Sequence, residues 1–219
     1  MKLTFSFLLL MFLLACNSAP QPEPTVPDPA LQQRLADMVK VDQEIQQFFY
    51  TAQDSLPLER RDFLRDSVFR HNGELVKEIF KMQGYPDTTL VGPEGQHQFW
   101  LLVQHMDYDP TFQEEVLVAM RPLVDRQAVS AVDFAYLTDR VRLAKGEKQW
   151  YGTQLDYLDN MMAVPQPLAD SLTVNVRRAA IGLGSVEAYL NKTMELHFRM
   201  NKAFYASLGR TTPYHYEEK

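Results

Sequence analysis

The sequence predicts a mainly α protein, a single-domain, helical bundle-like fold with one short extended or hairpin segment near residues 147–155. Three observations lead there. Apolar residues recur at helical spacing through long runs, and only 9 glycines among 219 residues interrupt them. The run His97 to Gln113, HQFWLLVQHMDYDPTFQ, is apolar around most of a helical circumference, which suits a central helix rather than a one-sided surface helix. Glu147 to Leu158, EKQWYGTQLDYL, breaks the helical period with aromatics, a β-branched residue and the mid-run Gly152, as an extended arm would.

The chain opens with Lys2 as its only early charge, then an apolar run from Leu8 to Leu14, then Ala15 and Cys16. Leu13, Leu14, Ala15 and Cys16 resemble the bacterial lipoprotein processing site, in which the cysteine is acylated and becomes the new N-terminus. The run falls short of the ~20 apolar residues that a membrane span needs. Residues 1–15 are therefore read as a signal peptide. Residues 16–29 are read as the lipidated cysteine and a proline-rich tether, NSAPQPEPTVPDP after Cys16, with a reach on the order of 40 Å if extended. The expected location is the bacterial cell envelope, lipid-anchored. Asn17 rather than aspartate after Cys16 favours, by resemblance to lipoprotein sorting, the outer membrane facing the periplasm.

Cys16 is the sole cysteine, so the domain beyond it holds no disulfide and no cysteine nucleophile or cysteine metal site. The net charge of -6 argues against nucleic acid, whose phosphates need a basic face.

Residues 30–209 are expected to form one helical domain and 210–219 a polar, mobile tail. The first helix runs from Pro29 to Ala52, with Leu31, Leu35, Met38, Val39, Val41, Ile45, Phe48 and Phe49 at helical spacing. Asp42, Gln43 and Glu44 read as a solvated acidic face. Ser55 to Gln83 supports a second helix or a broken pair, with a kink at Gly73 and Asn72 as a new cap. Gly84, Tyr85 and Pro86 end it.

Pro93 marks the start of the central helix, and Asp109-Pro110 starts another that runs to about Leu123. Asp107, Asp109 and Thr111 mimic the opening of a calcium loop. Phe112 and Val118 then stand where glycine and glutamate are required, which rules that loop out. A helix over Val129 to Lys145 ends at Gly146, a short helix lies within Ser171 to Gly182, and Ser185 caps a long final helix.

Polar groups on a central helix need partners, because an unpaired buried one costs on the order of 1–3 kcal/mol. Gln104, His105 and Asp107 are expected to meet Asp139 and Arg140 of the Val129 to Lys145 helix, with a partly buried arginine preferring a carboxylate. Gln149, Tyr151 and Gln154 add hydrogen-bonding groups that suit a pocket wall.

Three segments, VGPEGQHQFWLLVQHMDYDPTFQ, DFAYLTDRVRLAKGEKQWYGTQ and RRAAIGLGSVEAYL, resemble a family of uncharacterised bacterial domains, often secreted or lipid-anchored. The likeness covers about Val39 to Leu190. Its most specific parts are the Gln104, His105, Asp107 segment, the Leu137 to Arg140 segment and the Tyr151 to Gln154 segment. Gly84, Tyr85, Pro86 depart from the family's Gly-Trp-Pro by one aromatic swap. The resemblance implies one domain and no known reaction.

Three functions stand open. The first is a module binding a small polar ligand or a peptide through a pocket of His105, Asp107, Asp139, Arg140, Gln149, Tyr151 and Gln154. The second is a water-activating, hydrolase-type enzyme with His105 as general base, oriented by Asp107 or Asp139, and Arg140 facing developing negative charge. The third is a polar cluster that only satisfies itself, in a protein that acts through its surface on an envelope partner. There is no Gly-x-Ser-x-Gly elbow, His-Glu-x-x-His pair or Walker loop, so of the catalytic mechanisms only a water-activating one survives, and no cofactor is expected. A metal site would draw on His105, Asp107 and His71 or His97, but the 5 histidines lack ligand spacing, and none is expected.

Overall fold

The computed structural model of the chain describes residues 26–51 and 55–218. The expected leader, Cys16, the tether through Thr25 and the predicted helix end at Ala52 lie outside them. Among the described residues the protein is mainly helical, with eight helices and one two-stranded antiparallel hairpin.

Helix α1 (Pro29–Thr51) starts where Asp28 accepts the Leu31 N–H at 2.9 Å, a cap that prepares Pro29 for the first turn. Its inner stripe is Leu31, Leu35 and Met38. Helix α2 (Leu58–Gln83) runs unbroken through His71, Asn72 and Gly73, where the sequence suggests a kink. Asn72 caps nothing. It is buried and donates to the Met38 carbonyl of α1 at 3.3 Å, so its polarity serves helix pairing. Gly73 admits Tyr108, since a β-carbon there would fall inside the Tyr108 hydroxyl.

Helix α3 (Thr88–Gln104) opens with one turn capped by Asp87, breaks at Gly92 (φ 70°, ψ 169°) and resumes at Pro93, the predicted start. It is the central helix: Phe99, Leu102 and Val103 are buried, and it packs on α1 and α2. Helix α4 (Pro110–Asp125) is capped by Asp109, and α5 (Ala131–Ala144) by Ser130. These five helices enclose the larger apolar cluster, which runs from Leu31 on α1 to Val141 on α5.

The extended segment expected near 147–155 is a hairpin whose first strand begins at Leu155. Strands β1 (Leu155–Tyr157) and β2 (Ala163–Pro165) pair with Leu155 opposite Pro165 and Tyr157 opposite Ala163. Residues 149–154 form a loop instead, tied down by a bridge from Gln149 to Leu168. After α6 (Val174–Ala179), the expected long last helix is divided into α7 (Val186–Met200) and α8 (Lys202–Ser207), because Asn201 leaves helical geometry at φ -122°, ψ 34°. The hairpin, α6 and α7 surround a smaller cluster of Ala163, Val174, Val186, Leu190 and Met194.

Tyr214 and Tyr216 of the expected mobile tail pack on that smaller cluster. Tyr216 exchanges backbone bonds with the Asn191 side chain at 2.7 and 3.0 Å, and its hydroxyl donates to the Ala163 carbonyl at 2.7 Å.

Candidate functional site

Where α3 gives way to α4, the chain turns across α1, α2 and α5 and leaves a cleft of about 580 Å³. Gln46 of α1, Arg65, Asp66, Phe69 and Arg70 of α2, His105, Asp107 and Tyr108 of the turn, and Arg140 of α5 line it.

His105 follows α3 as its C-cap, with its backbone N–H on the Leu101 and Leu102 carbonyls. Its side chain does not turn to Asp107 or Asp139. Its Nδ1 lies 2.8 Å from Oδ2 of Asp42 on α1, a carboxylate that is 0% exposed. The other oxygen of Asp42 accepts from Gln43 Nε2 at 2.9 Å. Asp42 is therefore not on a solvated face. It continues the stripe of Leu35 and Met38 at seven and four residues' distance, and burial makes a charge-accepting partner obligatory. Phe69 stacks on the imidazole with ring centres 4.7 Å apart and planes 16° apart, which fixes the ring's plane.

Asp107, placed indoors by the sequence reading, is 63% exposed in its side chain. It accepts Arg140 Nη1 on both oxygens, at 2.8 and 2.7 Å, so the predicted meeting of the turn with α5 occurs through this pair. Arg140 Nε is buried with no hydrogen bond among the described residues. Gln104 is buried; its backbone carbonyl accepts from Gln113 at 3.4 Å while its side-chain oxygen has no partner among the described residues, and it is a neighbour of the cleft rather than part of its lining.

Asp139 points the other way. Fully buried, it accepts the backbone N–H groups of Trp150, Tyr151 and Thr153 at 2.6 to 3.1 Å and the Thr153 hydroxyl at 3.0 Å. Gln149 does related work, donating to the Gln154 and Gln166 carbonyls at 3.0 and 2.7 Å while accepting the Gln154 N–H. Tyr151 joins through its backbone. These three residues organise a loop and stand apart from the lining of the cleft. Gln154 does line a smaller recess of about 220 Å³ with Gln166, Leu143 and Ala144. Asp107 and Arg140 form a wall of both spaces.

Arg65 and Arg70 were not foreseen. Arg65 is paired with Asp62 at 2.7 Å and Asp66 at 3.5 Å, and lies over the Phe49 ring. Arg70 lies 4.5 Å over the Tyr108 ring and has no carboxylate partner among the described residues. Both sit on the α2 face that carries Phe69, a spacing visible in the sequence, but only the arrival of the Asp107 turn makes that face a wall.

A second histidine–carboxylate contact lies elsewhere. His97 Nδ1 is 3.1 and 3.2 Å from the buried Asp133 oxygens, which raises the pKa of this half-exposed imidazole. Asp133 also accepts from Gln96, whose amide donates to the buried Tyr85 hydroxyl at 2.8 Å. Asp109, the third acid of the calcium-loop mimic, caps α4 and pairs with Lys77 at 2.8 Å. No three His, Cys, Asp or Glu side chains gather as a metal-holding group among the described residues.

Fold and site together define a helical domain with a cationic, histidine-bearing cleft closed on one side by an ion pair. The chain belongs to a family of unknown function (DUF6624), whose family model matches residues 29–200. No curated protein and no solved structure matches it.

Proposed function

We propose that this protein is a bacterial envelope lipoprotein whose domain binds a small polar ligand with an anionic group, a peptide end included, in the cleft between α2, the Asp107 turn and α5. One observation carries the reading: Arg70 lines a cleft shared with His105 and Arg140, yet no carboxylate neutralises it among the described residues. A guanidinium stacked on an aromatic ring keeps its edge for a carboxylate or phosphate. The polar lining agrees with such a ligand.

Anchoring through Cys16 rests on the Leu13 to Cys16 tetrapeptide and the proline-rich stretch that follows. No helix among the described residues is long and apolar enough to cross a membrane.

Thermal unfolding of the full-length chain with succinate, inorganic phosphate and dialanine tests the binding. A ligand of the native state stabilises it by RT ln(1 + [L]/Kd), about 2.7 kcal/mol at a hundredfold excess over Kd, and so raises the midpoint. The rise is expected in the wild type and lost in Arg70→Ala. A flat response to all three anions refutes the reading. Anchoring is tested separately by metabolic labelling with palmitate, which Cys16→Ser should abolish.

A further inference from the structure

We propose that the cleft is hydrolytic: His105, oriented by Asp42, acts as general base on a water that attacks a carboxylic ester whose second, anionic group rests on Arg70. This inference depends on the cleft being the anion-binding site described above.

The geometry begins with the tautomer. A buried carboxylate 2.8 Å from Nδ1 holds the proton on that nitrogen, so the lone pair of the neutral ring is on Nε2. Nε2 has no hydrogen-bond partner among the described residues, and the imidazole lines the cleft with 17% of its side chain exposed. Phe69 stops the ring from rotating about its plane. A buried acid that holds a histidine whose other nitrogen faces an open space is the arrangement that general-base chemistry requires.

Among the described residues the cleft lining supplies no serine, threonine or cysteine, and water is the nucleophile. Tyr108 also lines it, with its hydroxyl turned to α2, where it donates to the Phe69 carbonyl at 3.4 Å, and its ring face under Arg70. Arg140 gives Nη1 to Asp107, and its Nη2 makes no hydrogen bond among the described residues.

In the step, a bond forms between the water oxygen and the acyl carbon while Nε2 takes the water proton. Asp42 stabilises the imidazolium and does not itself accept the proton. The tetrahedral oxyanion faces the Arg140 guanidinium. Collapse breaks the bond from the acyl carbon to the alkoxy oxygen, which receives the proton from Nε2. An acid and an alcohol leave, His105 is neutral again, and no electron is transferred to or from another reagent.

The test uses the full-length chain with two alkyl esters of equal acyl length, monoethyl succinate and ethyl butyrate, which differ in the terminal carboxylate and whose hydrolysis is followed by acid release. Preferential hydrolysis of the succinate monoester is expected. His105→Gln should lower its kcat by about 100-fold or more. Asp42→Asn, which preserves an acceptor for Nδ1 but no charge, should lower kcat and leave KM unchanged. Arg70→Ala should raise KM for the succinate ester alone, and His97→Gln should change neither ester. Circular dichroism checks that each variant folds. Should the first two fail to fold, carbethoxylation of wild-type histidine decides: succinate must protect both His105 and the activity. Turnover that survives His105→Gln overturns the proposal. So does absent turnover in a protein that succinate still stabilises, an outcome that leaves binding intact; a protein that neither binds nor hydrolyses refutes both readings.

Discussion

Asp42 occupies a position where the stripe of Leu31, Leu35 and Met38 calls for an apolar side chain, and the cost of that choice explains its partner. An uncompensated buried carboxylate is strongly destabilising, whereas one that accepts from an imidazole and an amide is held. Among three consecutive polar residues, Asp42, Gln43 and Glu44, only the first falls on the stripe, and that period, rather than charge, was the readable signal. Asp139 follows the same rule with backbone donors. Asp139→Ala should destabilise the domain by roughly 3 kcal/mol, since several loop N–H groups lose a charged acceptor together; an unchanged urea midpoint would show that water replaces it without cost. His97 supplies a pH signature. Its folded pKa is raised, chiefly by the bond to Asp133, so its contribution is fully present below the unfolded value and lost as pH rises through the folded one. Between about pH 6 and pH 9 the wild type should lose its thermal advantage over His97→Gln, and parallel curves would contradict this.

At the scale of elements, the starts and stops that were legible all have local chemistry. Pro29, Pro93, Asp109-Pro110 and Gly84 each mark a boundary that the backbone obeys. The breaks that were not legible depend on distant groups. Nothing near Gly73 in sequence reveals that it serves Tyr108, thirty-five residues on, so the glycine reads as a kink when it is a contact. Gly73→Ala should therefore destabilise by about 1–3 kcal/mol and push Tyr108 off the cleft wall, weakening succinate binding in the same variant. Likewise Asn201 divides the last helix without a proline or glycine to announce it. Helix α4 is tied to α2 through its cap: the bond from Lys77 holds the Asp109 carboxyl below its ordinary pKa. That contribution is present above the unfolded aspartate value and lost as pH falls through the folded one. Asp109→Asn retains the cap without the charge, so its stability deficit should shrink on acidification from about pH 6 to about pH 3. A deficit independent of pH would assign the effect to capping alone.

Taken whole, the molecule has two apolar clusters, one within α1 to α5 and one under the hairpin and α7, and its mainly helical class was evident from periodicity. Their junction was not. It is built from a carboxylate and a guanidinium that bond backbone: Asp139 grips the loop from the α5 side, while Arg178, 1% exposed, donates to the Tyr151 and Gly184 carbonyls at 2.8 and 2.6 Å. Side chains that bond backbone leave no pattern in a sequence, because any residue offers the same N–H and C=O. Gly152 closes the junction at φ 69°, where a β-carbon would crowd Leu168 at 3.2 Å and Val186 at 3.3 Å, so Gly152→Ala should be destabilising for both reasons. The grip has a further consequence for motion. The amides of Trp150, Tyr151 and Thr153 lie in a loop without regular structure, yet each is bonded to an acid out of reach of solvent. In deuterated water they should keep their protons as long as helix interiors do, and release them only when α5 itself opens.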